Sequence, residues 1–120
     1  MKLDRRELDE IVIYDLDGDF DSRSAGSAKE EIRTAILNGD MSVIINLEGV
    51  SYIDSAGLGT LVSALKTAKE NGGNVWLTGL SAQVKMVVEL TRLHHVFDIY
   101  ESIDDALEDL RGVGNSEASR

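Results

Sequence analysis

The sequence predicts an α/β layer fold, a mostly parallel or mixed sheet of about four to five strands packed with about four helices. Three observations carry it. Short β-branched runs alternate with segments whose apolar residues recur at helical spacing, as in strand–helix–strand units. Val43-Ile44-Ile45-Asn46-Leu47 is apolar almost throughout, as a strand buried on both faces must be. Leu58, Leu61, Val62, Leu65 and Ala68 then repeat at i, i+3, i+4, i+7 and i+10, one face of an amphipathic helix.

The elements follow in order. Ile11-Val12-Ile13-Tyr14 reads as the first strand. Asp17-Gly18 is a favoured two-residue hairpin turn and puts Phe20 in a short return strand. Ser22 to Ser27 is a polar loop of small residues. Ala28, Ile32, Ala35 and Ile36 mark the first helix, which Asn38-Gly39 ends. The strand at Val43 and the helix through Leu58 come next, and Asn71-Gly72-Gly73-Asn74 stops that helix. Val75-Trp76-Leu77-Thr78 is another strand. Ser81 reads as the N-cap of a helix through Val84, Val87, Val88 and Thr91. Met86, Leu90 and Leu93 form a second apolar stripe on it, for which burial is expected. Phe97-Asp98-Ile99-Tyr100 is a short last strand. Ser102 or Asp104 opens a final helix carrying Ile103, Ala106, Leu107 and Leu110. Residues 1–111 are expected to form one domain and 112–120 a flexible tail.

Composition narrows the function. An apolar content of 42% suffices for a packed core, and 5% aromatics make that core aliphatic. The absence of cysteine excludes a disulfide framework, thiolate metal sites and a cysteine nucleophile. A net charge of −10 repels nucleic acid and anionic membrane and favours a basic partner surface. No apolar run approaches the ~20 residues of a membrane span. Met1 to Glu7 lacks the apolar core of a secretion signal, so a cytoplasmic location is expected.

The most informative stretch runs from Ile44 to Leu61. A strand breaks at Asp54-Ser55 and a glycine-spaced helix follows, which sets one hydroxyl beside one carboxylate at a helix mouth. Unpaired N–H groups and a partial positive charge make such a place receptive to an anion. Ser55 can be a plain N-cap, a nucleophile, or the carrier of a phosphate. Three details favour more than a cap. The strand would end at the carboxyl edge of the sheet, where open α/β folds place their sites. Ala56 and Gly57 leave room for another protein to approach. Tyr52-Ile53 and Leu58 would form an apolar rim around the polar centre.

Other chemistries fit less well. Gly57-Leu58-Gly59 begins a dinucleotide-type glycine pattern, but Val62 stands at the third glycine. A hydrolase elbow would need glycine where Ile53 stands. His94 and His95 point in different directions near a helix end and suit capping or packing better than a catalytic base. Asp15 to Asp21 resembles a calcium loop, yet its sixth and twelfth positions are Phe20 and Gly26. No metal or cofactor site is expected, and no catalytic residues.

The Asp54-Ser55-Ala56-Gly57-Leu58-Gly59 core, with Tyr52-Ile53 before it, resembles the signature of STAS domains, and most closely of bacterial anti-sigma factor antagonists. The likeness extends from about Ile11 to Leu110. It implies a STAS fold and a partner-switching cycle. The unphosphorylated protein would bind an anti-sigma factor that is also a serine kinase, and so regulate transcription. That kinase would use its own ATP and magnesium to phosphorylate Ser55, with Asp54 supporting the step, and the complex would dissociate. A PP2C-type phosphatase would restore the free form. The chain itself would be a substrate and binding module, not an enzyme. The resemblance also places Asp21, Ser22 and Ser24 near the motif serine. The expected partner surface then comprises Asp21, Ser22, Ser24, Tyr52, Ile53, Asp54, Ser55, Ala56, Gly57 and Leu58. Many relatives carry Ser or Thr after the motif serine; Ala56 leaves Ser55 as the sole hydroxyl of the motif here. The alternative is a stand-alone STAS subunit regulating a transporter or another signalling complex.

Overall fold

The structure, a computed structural model, describes the backbone of residues 1–118 and the side chains of residues 1–111. Strand β1 (Lys2–Leu8) turns back on β2 (Ile11–Asp17). Then come α1 (Ala25–Leu37), β3 (Ser42–Gly49), α2 (Ser55–Glu70), β4 (Asn74–Thr78), α3 (Ala82–Leu90), a one-turn 3-10 helix (Leu93–His95), β5 (Asp98–Tyr100) and α4 (Ile103–Ala118). The sheet keeps chain order, β1-β2-β3-β4-β5. Its first pair is antiparallel and the other three are parallel.

Each parallel pair is joined by one helix. Crossovers of one hand, on a sheet that advances steadily in one direction, stack their helices on the same face. Val12, Tyr14 and Leu16 of β2 and Val43, Ile45 and Leu47 of β3 face that side. They share a core with Ile32 and Ile36 of α1, Leu61 and Leu65 of α2, and Val84 and Val88 of α3. The alternate residues Ile11, Ile13 and Ile44 face the other side, where Ala106 and Leu107 of α4 cover them. Two covered faces explain why β3 reads as a continuous apolar run.

Two polar contacts pin the middle of α4. Arg111 pairs with Asp9 at 2.6 Å, and the Tyr100 hydroxyl donates to the Asp109 carboxylate. That bond, and then burial, push the Tyr100 phenol up to about 12 from its ordinary value near 10. A raised folded pKa contributes stability that is complete below about pH 10 and is lost as pH rises through about 12. Absorbance at the phenolate band should show a tyrosine ionising near pH 12, and this step should vanish in Tyr100→Phe. If Asp109→Asn leaves the step in place, the bond is not its cause.

The N-terminal hairpin corrects the sequence reading. The turn lies at Asp9-Glu10, not Asp17-Gly18, and both turn residues are left-handed, with φ of 53° and 68°. The missed strand β1 is an edge. Six of its seven residues are exposed, and Leu3 alone is half-buried, so it has no apolar period to read. Phe20 is not in a return strand. It makes an isolated parallel bridge to Ile53. Helix α1 starts a turn earlier than expected, at Ala25, and most of the second stripe is not buried: Leu93, in the 3-10 turn, is half-buried against the main core, but the two residues on α3 itself are exposed. Met86 is 53% and Leu90 76% exposed, because α4 packs on the opposite face of the sheet. The tail expected over 112–120 is described as helix to Ala118; residues 119 and 120 lie outside the described residues.

Candidate functional site

The site is built where three distant stretches meet: residues 20–24, residues 50–58, and the start of α3. Asp54 is the N-cap of α2, in extended conformation, and Ser55 is the first helical residue. Asp54 Oδ1 accepts the Ala56 and Gly57 N–H groups at 2.9 and 3.1 Å. Its Oδ2 accepts the Ser22 N–H at 3.2 Å. One carboxylate therefore closes the helix start and ties the 20–24 loop to it.

The backbone completes the junction. Phe20 N–H donates to the Tyr52 carbonyl at 2.9 Å, and Asp54 N–H donates to the Phe20 carbonyl at 3.2 Å. From the other side Gln83 acts as a substitute strand. Its Oε1 accepts the Ile53 N–H at 2.9 Å and its Nε2 donates to the Ile53 carbonyl at 3.2 Å. The Ser81 hydroxyl donates to the Val50 carbonyl at 2.8 Å, so Ser81 holds the N-cap position of α3 without a side-chain cap bond.

Ser55 is left free by this arrangement. Because Asp54 caps the helix, the Ser55 hydroxyl is not spent on a backbone amide. It is exposed and makes no hydrogen bond among the described residues. It stands on the first turn of a sixteen-residue helix, where unpaired N–H groups favour negative charge.

The remaining expected residues divide into two groups. Ser22 and Tyr52 are exposed, and Asp21, Ser24, Asp54 and Ala56 are half-buried around Ser55. The Arg23 guanidinium on Asp21, at 2.8 Å, holds the Asp21 carboxyl below the usual carboxylate range. The Ser24 hydroxyl donates to the Asp19 carbonyl at 3.0 Å and fixes the loop. Ile53 and Leu58, in contrast, are not rim residues. They are 1% and 8% exposed and belong to the main core. Gly57 is buried as well, and Gly59, with open space around it, takes the outward position instead.

Gln83 was missed by sequence reasoning. A glutamine beside the core residue Val84 is a weak signal that a buried carbonyl needs a partner. The acidic run from Asp15 to Asp21 does not converge: Asp15 pairs with Arg6 at 2.7 Å and with Asn46 at 2.8 Å, while Asp21 holds Arg23. Among the described residues no group of three or more His, Asp or Glu side chains is placed to hold a metal ion. His94 and His95 are exposed in the 3-10 turn, ring centroids 4.0 Å apart.

Asp54 gives a direct test of the junction. Asp54→Ala removes the acceptor of three amides and should cost about 2 kcal/mol in denaturant unfolding, the upper range for an N-cap. Asp54→Asn keeps an oxygen for the cap but turns a donor toward Ser22 N–H, and should fall between the two. Equal stability of all three proteins would mean that the cap carries no energy.

The site is thus an exposed serine at the mouth of a helix whose cap Asp54 supplies, in a small α/β domain. The comparisons agree on its family. A model of the STAS domain matches residues 2–106, and the chain belongs to that family. A candidate anti-sigma factor antagonist of Thermotoga maritima is 30% identical over 105 residues, 87% of this chain and 93% of that protein. The anti-sigma-B factor antagonist of Staphylococcus aureus is 25% identical, over 87% of this chain and 96% of its own. The crystal structure of a candidate antagonist from Thermotoga maritima superposes with a TM-score of 0.87 at 27% identity, covering 91% of this chain and 94% of that one. Among the described residues no helix is long and apolar enough to cross a membrane.

Proposed function

We propose that this chain is an anti-sigma factor antagonist controlled by phosphorylation of Ser55. The free, exposed Ser55 hydroxyl beside a cap supplied by Asp54 carries the reading, and the names of the relatives support it. In the unphosphorylated state residues 1–111 bind an anti-sigma factor with serine kinase activity. Ser55 Oγ then takes the γ-phosphoryl group of that kinase's ATP, giving phosphoserine, ADP and a proton. A PP2C-type phosphatase hydrolyses the ester, returning Ser55 and inorganic phosphate. The chain acts as substrate and binding module in the cytoplasm, not as the catalyst.

In this reading Asp54 supports the transfer by holding the helix start and the 20–24 loop in place, since both of its oxygens are engaged by backbone amides. Asp21, Ser22, Ser24, Tyr52, Ser55 and Ala56 present the contact surface. Ile53, Gly57 and Leu58 shape it from beneath. The test is intact mass and peptide mapping of the protein from its native host, with a Ser55→Ala control. One phosphate on Ser55, absent in the control, is the expected result. No phosphate under any growth condition, even with phosphatase blocked, would overturn the switch and favour a constitutive STAS subunit.

A further inference from the structure

A second surface lies at the far edge of the sheet, away from the residues assigned to the switch. A cavity of about 500 Å³ opens between α3 and β5, lined by Leu80, Val88, Phe97 and Ile99 with Lys85 and Glu89 at its α3 side. Strand β5 is the last of the sheet, so its outer edge has no partner strand among the described residues. The Tyr100 carbonyl accepts the Gly79 N–H at 3.2 Å, which turns the backbone groups of residue 100, and by alternation those of residue 98, toward β4. The N–H and carbonyl of Ile99 therefore face outward, one donor and one acceptor on an open edge beside a trough.

We propose that this edge is a strand-addition site for an extended partner peptide in which an aliphatic residue is flanked by basic ones. The edge dictates the pattern. A residue directly opposite Ile99 points to the same side as Ile99, and Ile99 packs toward the α3 core. That residue enters the cavity above Val88 and Phe97, which are 1% and 4% exposed, and gains by being aliphatic. Its two neighbours point to the opposite face, where Tyr100 packs with α4. There they meet Asp98 and Asp109, while Glu101, by the same alternation, falls with Ile99 on the cavity side, which Lys85 and His94 also line. Asp98 and Asp109, both exposed, call for lysine or arginine at the two neighbours. Main-chain bonds to Ile99 supply affinity and the alternating side chains supply selectivity, as in other cases of strand addition between a helix and a sheet edge.

The test uses the full chain labelled with nitrogen-15 and two probes, acetyl-Gly-Lys-Val-Lys-Val-Lys-Gly-amide and the same peptide with glutamate for lysine. The lysine peptide should give saturable amide shifts centred on Leu80, Val88, Ile99 and Glu101, and should slow exchange of the Ile99 amide at least tenfold. The glutamate peptide should bind at least tenfold more weakly. Asp98→Lys, at an exposed position, should remove that preference without altering the fold. No saturable shift at millimolar peptide, shifts centred elsewhere, or equal response to both peptides would overturn the proposal. None of these outcomes depends on whether Ser55 is phosphorylated.

Discussion

Gly57→Ala is expected to lower stability by about 2 kcal/mol or more, while Gly59→Ala, two residues along the same helix, raises it by about 0.5–1 kcal/mol. The opposite signs come from surroundings alone. In a helix interior alanine is intrinsically better than glycine by ~1 kcal/mol. At Gly59 nothing lies within 4 Å of an added Cβ, so that gain is realised. At Gly57 the added carbon would stand 2.4 Å from the Phe20 carbonyl oxygen and 2.7 Å from Ile53 Cγ1. Neither neighbour can retreat cheaply. The Phe20 carbonyl is held by Asp54 N–H, and Ile53 is clamped by Gln83. Overpacking of this kind costs ~1–3 kcal/mol or more and overrides the helical preference. Denaturant unfolding of both variants reads the two signs. A neutral Gly57→Ala would show that the junction between residues 20 and 53 is loose.

Phosphoserine at position 55 should weaken association with the anti-sigma factor by more than a hundredfold and leave the unfolding midpoint unchanged or slightly raised. The two effects separate because the charge meets different surroundings in each. Within the chain, about −1.5 to −2 charges arrive at a helix start, where a negative group gains ~0.3–1 kcal/mol. In a complex, a partner packed over Ser55 must bury that charge beside Asp54, on a protein already at −10. A penalty of only ~3 kcal/mol corresponds to more than a hundredfold in Kd. Ser55→Glu adds a single charge and fewer acceptors, so its effect should be smaller, and Ser55→Ala should remain bound. Titration calorimetry with the purified anti-sigma factor and parallel thermal unfolding measure both. A loss of binding matched by a loss of fold would replace the switch with simple destabilisation.

The sequence made the parallel half of the fold legible because each element there has a strong local signature. The run at Val43 and the stripe from Leu58 to Ala68 need no tertiary information. Asp54-Ser55 stood out for the same reason, as a polar break between two apolar patterns. What stayed hidden depends on partners distant in the chain. β1 is a strand only because β2 offers it an edge, and its exposed charges follow no period. Asp9-Glu10 adopts a left-handed turn that neither residue advertises, imposed by closure of the hairpin. Ile53 and Leu58 looked like a rim, because an apolar residue beside a loop is equally consistent with surface and core; both are buried, Ile53 through its bridge to Phe20 and Leu58 in the main core. Gln83 was invisible because its partner lies thirty residues away.

Gln83 also links the dynamics of two segments. The Ile53 amide is protected by a side chain on the first turn of α3 rather than by a neighbouring strand, so it opens whenever that turn frays. Its hydrogen exchange therefore reports on the start of α3, not on the sheet. Anything that stiffens the approach to Ser55, whether a docked protein or an added phosphate, should slow exchange at Ile53 and through the first turn of α3 together, and Gln83→Ala should uncouple the two.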